Sequence, residues 1–479
     1  MKILLAASEI APFARTGGLG DMLEGLPPAL AARGHEVSAV MPCYRGLRDD
    51  PRLGVRATGV RLTVPMGARR RQAEILEGTA PNGSQIFLVR EDELFDRAGL
   101  YGEDGTAYDD EAERFIFFSK TVVELARRVL PPPDIVHVHD WHTALVPVLV
   151  KQARRPFRTV LTLHDVAFQG SFWGADFGLT NLPGELFSTR GLEFFGNLNL
   201  LKGGILFADA LTTLSERQAR EIQTAEGGSG LDGVLREHAG KLSGILGGAD
   251  YREWNPAGDP HLPAPYSAVD LRGKRACQAA LLAELGLEPE PSGPVFALVS
   301  RRLERPGFDL LIPLLDRLLA HDVRLVIFGP ADPPHARALA IAARQHRGRL
   351  ALRDAFDARL AHLLEAGADV ALLPAHLEPG GLSAMYSLKY GTLPIARATG
   401  GLHQIVQDYD PTSDRGTAFV FYDSTPAALW DAILRATACH ADPPCWAKLV
   451  RRAMAEDFSW EKAVPGYEEV YARALRGAG

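Results

Sequence analysis

The chain has 479 residues with a formal net charge of −7, 46% hydrophobic and 23% charged residues. That length predicts two or three domains, and the balance is that of an ordinary soluble globular protein. The negative net charge excludes a nucleic-acid-binding surface as the main business, while leaving room for a local basic pocket that takes phosphates.

The first element, Lys2 to Ile10, reads as a buried parallel strand. Glu9 and Pro12 interrupt the apolar run too early for a signal peptide or a membrane span, so the expected location is the cytoplasm. The loop Ala11–Gly20 carries Gly17, Gly18 and Gly20, and Asp21 is read as the N-cap of the following helix. Pro27 and Pro28 are expected to break or restart that helix and Gly34 to end it. HEVSAVMP is the next strand, which completes the βαβ unit of a doubly wound sheet. DIVHVHD (134–140), TVLTLHD (159–165) and ADALTTLS (208–215) repeat the pattern. They place His139, Asp140, His164, Asp165 and Ser215 at carboxyl ends of strands, where open α/β sheets bind ligands. A second set of strands, PVFALVS, RLVIFG and DVALLP, begins near residue 294, and the Pro- and Gly-rich stretch 255–267 lies between the sets. The chain therefore reads as two Rossmann-like domains with a linker near residues 245–265. The closing SWEKAVPGYEEVYARAL reads as a helix interrupted at Pro465.

Each motif admits two readings by itself. Arg15-Thr16-Gly17-Gly18-Leu19-Gly20-Asp21 is a tight turn, or a place where bare backbone amides and a helix N-terminus meet an anion or a sugar. Arg301, Arg302 and Arg305 after a strand are a solvated loop, or cations that neutralise a diphosphate. Glu378-Pro379-Gly380-Gly381 is a helix cap, or a carboxylate for sugar hydroxyls beside amides for phosphate. Thr399-Gly400-Gly401 is a second such corner. The histidines of HVHDWH (137–142) lack an evident set of further ligands, so they read as polar strand-end residues rather than a metal site. The four cysteines, Cys43, Cys277, Cys439 and Cys445, are too few and scattered for a disulfide framework, and Cys439 and Cys445 with His440 do not make a zinc site.

Taken together, MKILLAASEIAPFARTGGLGD, LYGEDGTAYDDEAERFIFFSK, HVHDWH, LTLHDVAFQG, ADYREWNP, EPGGLSAMYSLKYGTLPIARATGGL and SWEKAV resemble, in order and over nearly the whole chain, the bacterial glycogen synthase and plant starch synthase family. The resemblance implies an α/β GT-B fold, with two Rossmann-like domains facing a central cleft. The N-terminal domain would span residues 1–245, the nucleotide-sugar-binding domain 246–455, and the terminal helix 456–479 would cross back. It implies a retaining transfer of glucose from ADP-glucose to the nonreducing end of an α-1,4-glucan, without metal or other cofactor and without nucleic-acid or membrane partners. It further implies catalytic roles for Arg301, Glu378, His164 and Asp140. Donor and phosphate contacts would come from Arg15, Gly17, Gly18, Arg305, Gly380, Gly381, Thr399 and Gly400, and Tyr101 would lie on the acceptor side.

The departures from the family pattern cluster at these positions. Pro306 stands where the family has a phosphate-binding lysine, with Arg305 one residue early. Arg15 replaces a lysine, Asp165 and Gly247 each replace an asparagine, Gly380 replaces a cysteine, and Ala375-His376-Leu377 replace a Ser-Arg-Phe run. Two alternatives follow: a weakened or inactive glucan-binding paralogue, or a transferase with an altered donor.

Overall fold

The computed structural model describes the chain except Asp104, residues 129–131, Arg155, residues 300–306, Phe356 and residues 478–479. It divides into two compact units, Met1–Gly248 with Trp460–Gly479, and Ala249–Ser459.

The first unit is built on a nine-stranded sheet in the order Leu242–Gly244, Ala210–Thr213, Arg158–Leu163, Ile135–His139, Lys2–Ala6, Glu36–Pro42, Gln85–Arg90, Arg69–Thr79, Arg56–Met66. The first seven strands are parallel and the last two are antiparallel additions. Strands 2–6 and 135–139 are buried nearly throughout, so they read as continuous apolar runs rather than alternating ones. The first strand stops at Ala6, four residues earlier than its apolar run suggests, because Ser8 and Glu9 turn to side-chain bonding.

The first helix runs Gly18–Ala32, with Gly17 at its N-cap and Asp21 inside its first turn, which corrects the reading of Asp21 as the cap. Pro27 and Pro28 lie within it without ending it. A proline removes the amide that would serve the carbonyl four residues earlier. For Pro28 that carbonyl belongs to Glu24, and the Asn82 side-chain amide donates to it instead, at 2.9 Å. Gly34 (φ 85°) closes the helix, its amide donating to the Ala31 carbonyl. The final helix, Trp460–Arg476, likewise continues through Pro465. Burial of Val464, Tyr467, Val470, Tyr471 and Ala474 against the first unit outweighs one lost hydrogen bond. The indole of Trp460 rests on Gly25, where a Cβ would come within 1.9 Å of its nitrogen.

The second unit carries a six-stranded, all-parallel sheet in the order Leu350–Arg353, Arg324–Phe328, Val295–Val299, Val370–Leu373, Leu393–Arg397, Phe419–Phe421. The stretch 255–267 is a packed part of this unit rather than a linker. Asp259 is buried and accepts from Tyr390 at 2.5 Å and pairs with His362 at 2.8 Å, and the Tyr266 hydroxyl donates to the Tyr390 carbonyl. Prolines and glycines there shape a compact loop around a buried carboxylate.

Candidate active site

In the first unit the strands ending at Ala6, His139, Leu163 and Thr213 are neighbours, so the residues just beyond them gather at one edge of the sheet. Asp140 takes a left-handed backbone (φ 54°), its amide donating to the Thr162 carbonyl. From there its Oδ1 accepts the backbone amide of His164 at 2.7 Å. The Asp140 carboxylate thus fastens two strand ends together. The His164 carbonyl is held by Gln218 Nε2 at 3.0 Å, and the His164 ring meets His139, Nε2 to Nδ1, at 3.1 Å. Asp165, beside it, accepts the Ala167 amide at 3.0 Å in an Asx-type turn.

The histidines of the 137–142 motif do different things. His137 is spent on structure, Nδ1 to the Tyr471 hydroxyl of the final helix at 2.8 Å and Nε2 to Thr162 at 2.6 Å. His142 stacks on Trp141 with ring centroids 4.0 Å apart. Burial depresses the pKa of all three, His137 to about 3 and His139 and His142 well below the ordinary value, so they are neutral near pH 7. Among the described residues no group of three or more His, Cys, Asp or Glu side chains is arranged to hold a metal ion.

The glycine loop after the first strand is organised by Glu9, a residue the motif reading passed over. Its carboxylate accepts the Thr16 amide, the Thr16 hydroxyl and the Tyr101 hydroxyl, each at 2.6 Å. Tyr101 also contacts Ser8 Oγ at 2.8 Å, so its hydroxyl is engaged in holding the loop. Arg114, fully buried, donates to the carbonyls of Leu94 and Leu100 and fixes the segment that presents Tyr101. The signal available in sequence was an acidic residue directly after a buried apolar strand, a position that demands partners. Arg15 pairs with Asp21 at 2.7 Å. Gly17 is extended (φ −167°) and Gly18 opens the helix, with nothing within 4 Å of where its Cβ would stand. That open space at a helix N-terminus is what close approach of an anion requires.

In the second unit Arg301 and Arg305, with Pro306, lie outside the described residues. The two glycine corners are one packed feature. The Gly401 amide donates to the carbonyls of Glu378 and Pro379, both at 2.9 Å. A Cβ at Gly400 would stand 2.1 Å from the Glu378 carbonyl oxygen, and one at Gly401 2.4 Å from that of Gly380. Gly381 (φ 69°) caps the helix Leu382–Tyr390 and donates its amide to Glu378 Oε1 at 3.2 Å, while Gly380 sits between that carboxylate and the cap. Thr399 is buried, its amide on the Arg397 carbonyl. Arg397, a cation ending an apolar strand, was also missed. It donates to the His376 carbonyl at 2.6 Å, and its Nε is buried with no partner among the described residues. His376 is held between Ser424 and Asp309, each at 2.8 Å.

Two Rossmann-like units with polar strand-end sites of this kind define the GT-B class of glycosyltransferases. Residues 2–237 match the starch synthase catalytic domain model and residues 287–447 the model for glycosyl transferases group 1. The chain is 45% identical to the glycogen synthase of Anaeromyxobacter dehalogenans over 484 aligned positions, covering 100% of both. It is 42% identical to that of Koribacter versatilis, covering 99% of this chain and 98% of the relative. Among solved structures, the catalytic domain of starch synthase IV from Arabidopsis thaliana, bound to ADP and acarbose, is 32% identical with a TM-score of 0.91 and 99% of each chain covered. A sucrose-phosphate synthase from Thermosynechococcus elongatus, 18% identical with a TM-score of 0.59 over 99% of each chain, shares the fold. This chain belongs to the glycogen synthase and starch synthase family of glucosyltransferases.

Proposed function

We propose that the protein elongates an α-1,4-glucan in the cytoplasm by moving glucose from ADP-glucose to its nonreducing end, with retention of configuration and without a metal ion. The observation that supports this best is the interlocked pair of corners 378–381 and 399–401 in a chain similar to glycogen synthases along its full length. Breaking the sugar–phosphate bond leaves a cationic sugar and a departing diphosphate, so the site's main task is electrostatic. Glu378, its position set by the bond to the Gly381 amide, is the carboxylate for glucose hydroxyls and for the developing positive charge. Arg301, with Arg305 and Arg15, supplies positive charge for the diphosphate. The amides around Gly17, Gly18, Gly380 and Gly381, with Thr399 and Gly400, line the phosphate and sugar positions. His164, neighboured by His139 and anchored through its backbone by Asp140, serves the sugar.

The test is incorporation of labelled glucose from ADP-glucose into glycogen by the purified chain. Incorporation that falls on the order of 10²–10³ in rate on Glu378→Gln supports the reading. Folded protein that incorporates nothing overturns it. A second reading, a weakened glucan binder, rests on Pro306 standing where the family has lysine. Under it, Pro306→Lys raises a low basal rate by about two to three orders of magnitude, the worth of one electrostatic donor. A normal basal rate unchanged by that substitution excludes it. ADP, UDP and GDP compared by melting-temperature shift distinguish an altered donor.

A further inference from the structure

Outside the transferase site, the second unit holds a pair of thiols with no role in the proposed reaction. Cys439 lies in the last turn of the helix Pro426–His440, and Cys445 is the third residue of the helix Pro443–Met454. Their sulfurs are 2.9 Å apart. A disulfide needs about 2.05 Å, so the two sulfurs must close by less than 1 Å. The turn between the helices is itself pinned. The Asp442 amide donates to the Cys439 carbonyl at 3.1 Å, and the Asp442 carboxylate accepts the Cys445 amide at 3.3 Å. Tyr409 places its hydroxyl 3.2 Å from the Cys445 sulfur. All four cysteines are free thiols; Cys43 is buried, and Cys277 is fully buried with its thiol donating to the Ala264 carbonyl.

We propose that Cys439 and Cys445 form a reversible dithiol–disulfide site whose oxidant is a small-molecule disulfide of the glutathione type. Cys445 is the more exposed of the two and takes the oxidant. Its thiolate attacks one sulfur of the external disulfide, a Cys445 mixed disulfide forms, and one thiolate leaves. Cys439, nearly buried, then attacks the Cys445 sulfur, the internal S–S bond forms, and the second thiolate leaves. Two electrons pass from the protein to the external disulfide, and the two thiol protons end on the two released thiols. The bridge ties together two helices, the second of which packs on the helix Leu382–Tyr390 that follows the Gly381 corner.

The experiment equilibrates the full-length protein with graded mixtures of reduced and oxidised glutathione, alkylates the remaining thiols, and measures intact mass and peptide linkage. The expected result is loss of two of the four thiols, a mass lower by two alkyl groups than that of the fully reduced and alkylated protein, a linked Cys439–Cys445 peptide, no covalent dimer, and full reversal by dithiothreitol. In Cys439→Ser the reaction stops at a single glutathione adduct on Cys445. Four alkylatable thiols at every ratio, adducts on Cys43 or Cys277 in place of the bridge, or an unreactive Cys445 in Cys439→Ser would each overturn the proposal. None of these readouts depends on transferase activity.

Discussion

Tyr101→Phe removes one oxygen atom from the device that orders the glycine loop. The Tyr101 hydroxyl is one of three donors to the buried Glu9 carboxylate and also partners Ser8. Its loss leaves Glu9 with the Thr16 amide and hydroxyl, both on the loop that carries Arg15, Gly17 and Gly18. A hydrogen bond to a charged acceptor contributes about 1.5–3 kcal/mol, and the ring of phenylalanine keeps the packing against Phe115 and His142. Taking about 2 kcal/mol, the melting transition of the first unit falls by roughly 4–8 °C. The check is differential scanning calorimetry on both proteins, with ADP-glucose saturation measured in parallel. Loosening of the loop raises KM for the donor more than it lowers kcat, because the loop binds in the ground state. Glu9→Gln alone, which turns one acceptor into a donor facing donors, costs at least as much. The double variant costs less than the sum of the two single changes. A Tyr101→Phe transition within about 1 °C of wild type, or strict additivity, refutes the claim that Glu9 and Tyr101 act as one unit.

Gly18→Ala and Gly400→Ala separate ligand approach from backbone need. Alanine at 18 meets nothing within 4 Å in a helix, so melting temperature holds or rises, by up to about 1 kcal/mol of stability, while KM for ADP-glucose increases. Alanine at 400 (φ 45°) collides with the Glu378 carbonyl and costs on the order of 3 kcal/mol or more, read as a fall in the melting temperature of the second unit. The two units also respond to pH in opposite directions. Burial lowers His137 to about 3, so below pH 6.5 the unfolded chain binds protons the folded unit refuses. The first unit then loses roughly 2 kcal/mol by pH 5, seen as an early-melting calorimetric transition. For His362 burial opposes the charge, but the hydrogen bonds its ring donates to the Asp259 and Glu253 carboxylates outweigh it and raise the group to about 9. Its stabilisation is complete below pH 6.5 and fades as pH rises through about 9. That is about 2 kcal/mol between pH 6 and 8, and His362→Gln flattens this slope in the second unit.

Much of this architecture is legible in one dimension. Runs such as ILLA, IVHVH, VFALV and VALL are short, apolar and end in polar residues, and a parallel sheet buried on both faces admits little else. The glycine corners announced themselves for a similar reason, since Gly400 and Gly401 stand where no side chain fits. Side-chain partnership was not legible. Asp140 faces the backbone of a residue 24 positions away, His137 and Tyr471 meet across 334 residues, and Glu9 waits for a tyrosine 92 residues on. Helix continuity through Pro28 and Pro465 was equally hidden. A proline breaks a helix by local rules, and only a distant amide from Asn82, or the packing of a whole apolar face, offsets the cost.

Local sequence settled where strands, corners and strand-end polar groups fall, because periodicity and glycine sterics act over a few residues. The tertiary structure alone decided which of those polar groups are spent holding the scaffold, as His137 is, and which buried groups organise its loops, as Glu9 does. A buried charge or imidazole must find partners wherever the fold brings them, and that distance is not written in the neighbouring residues.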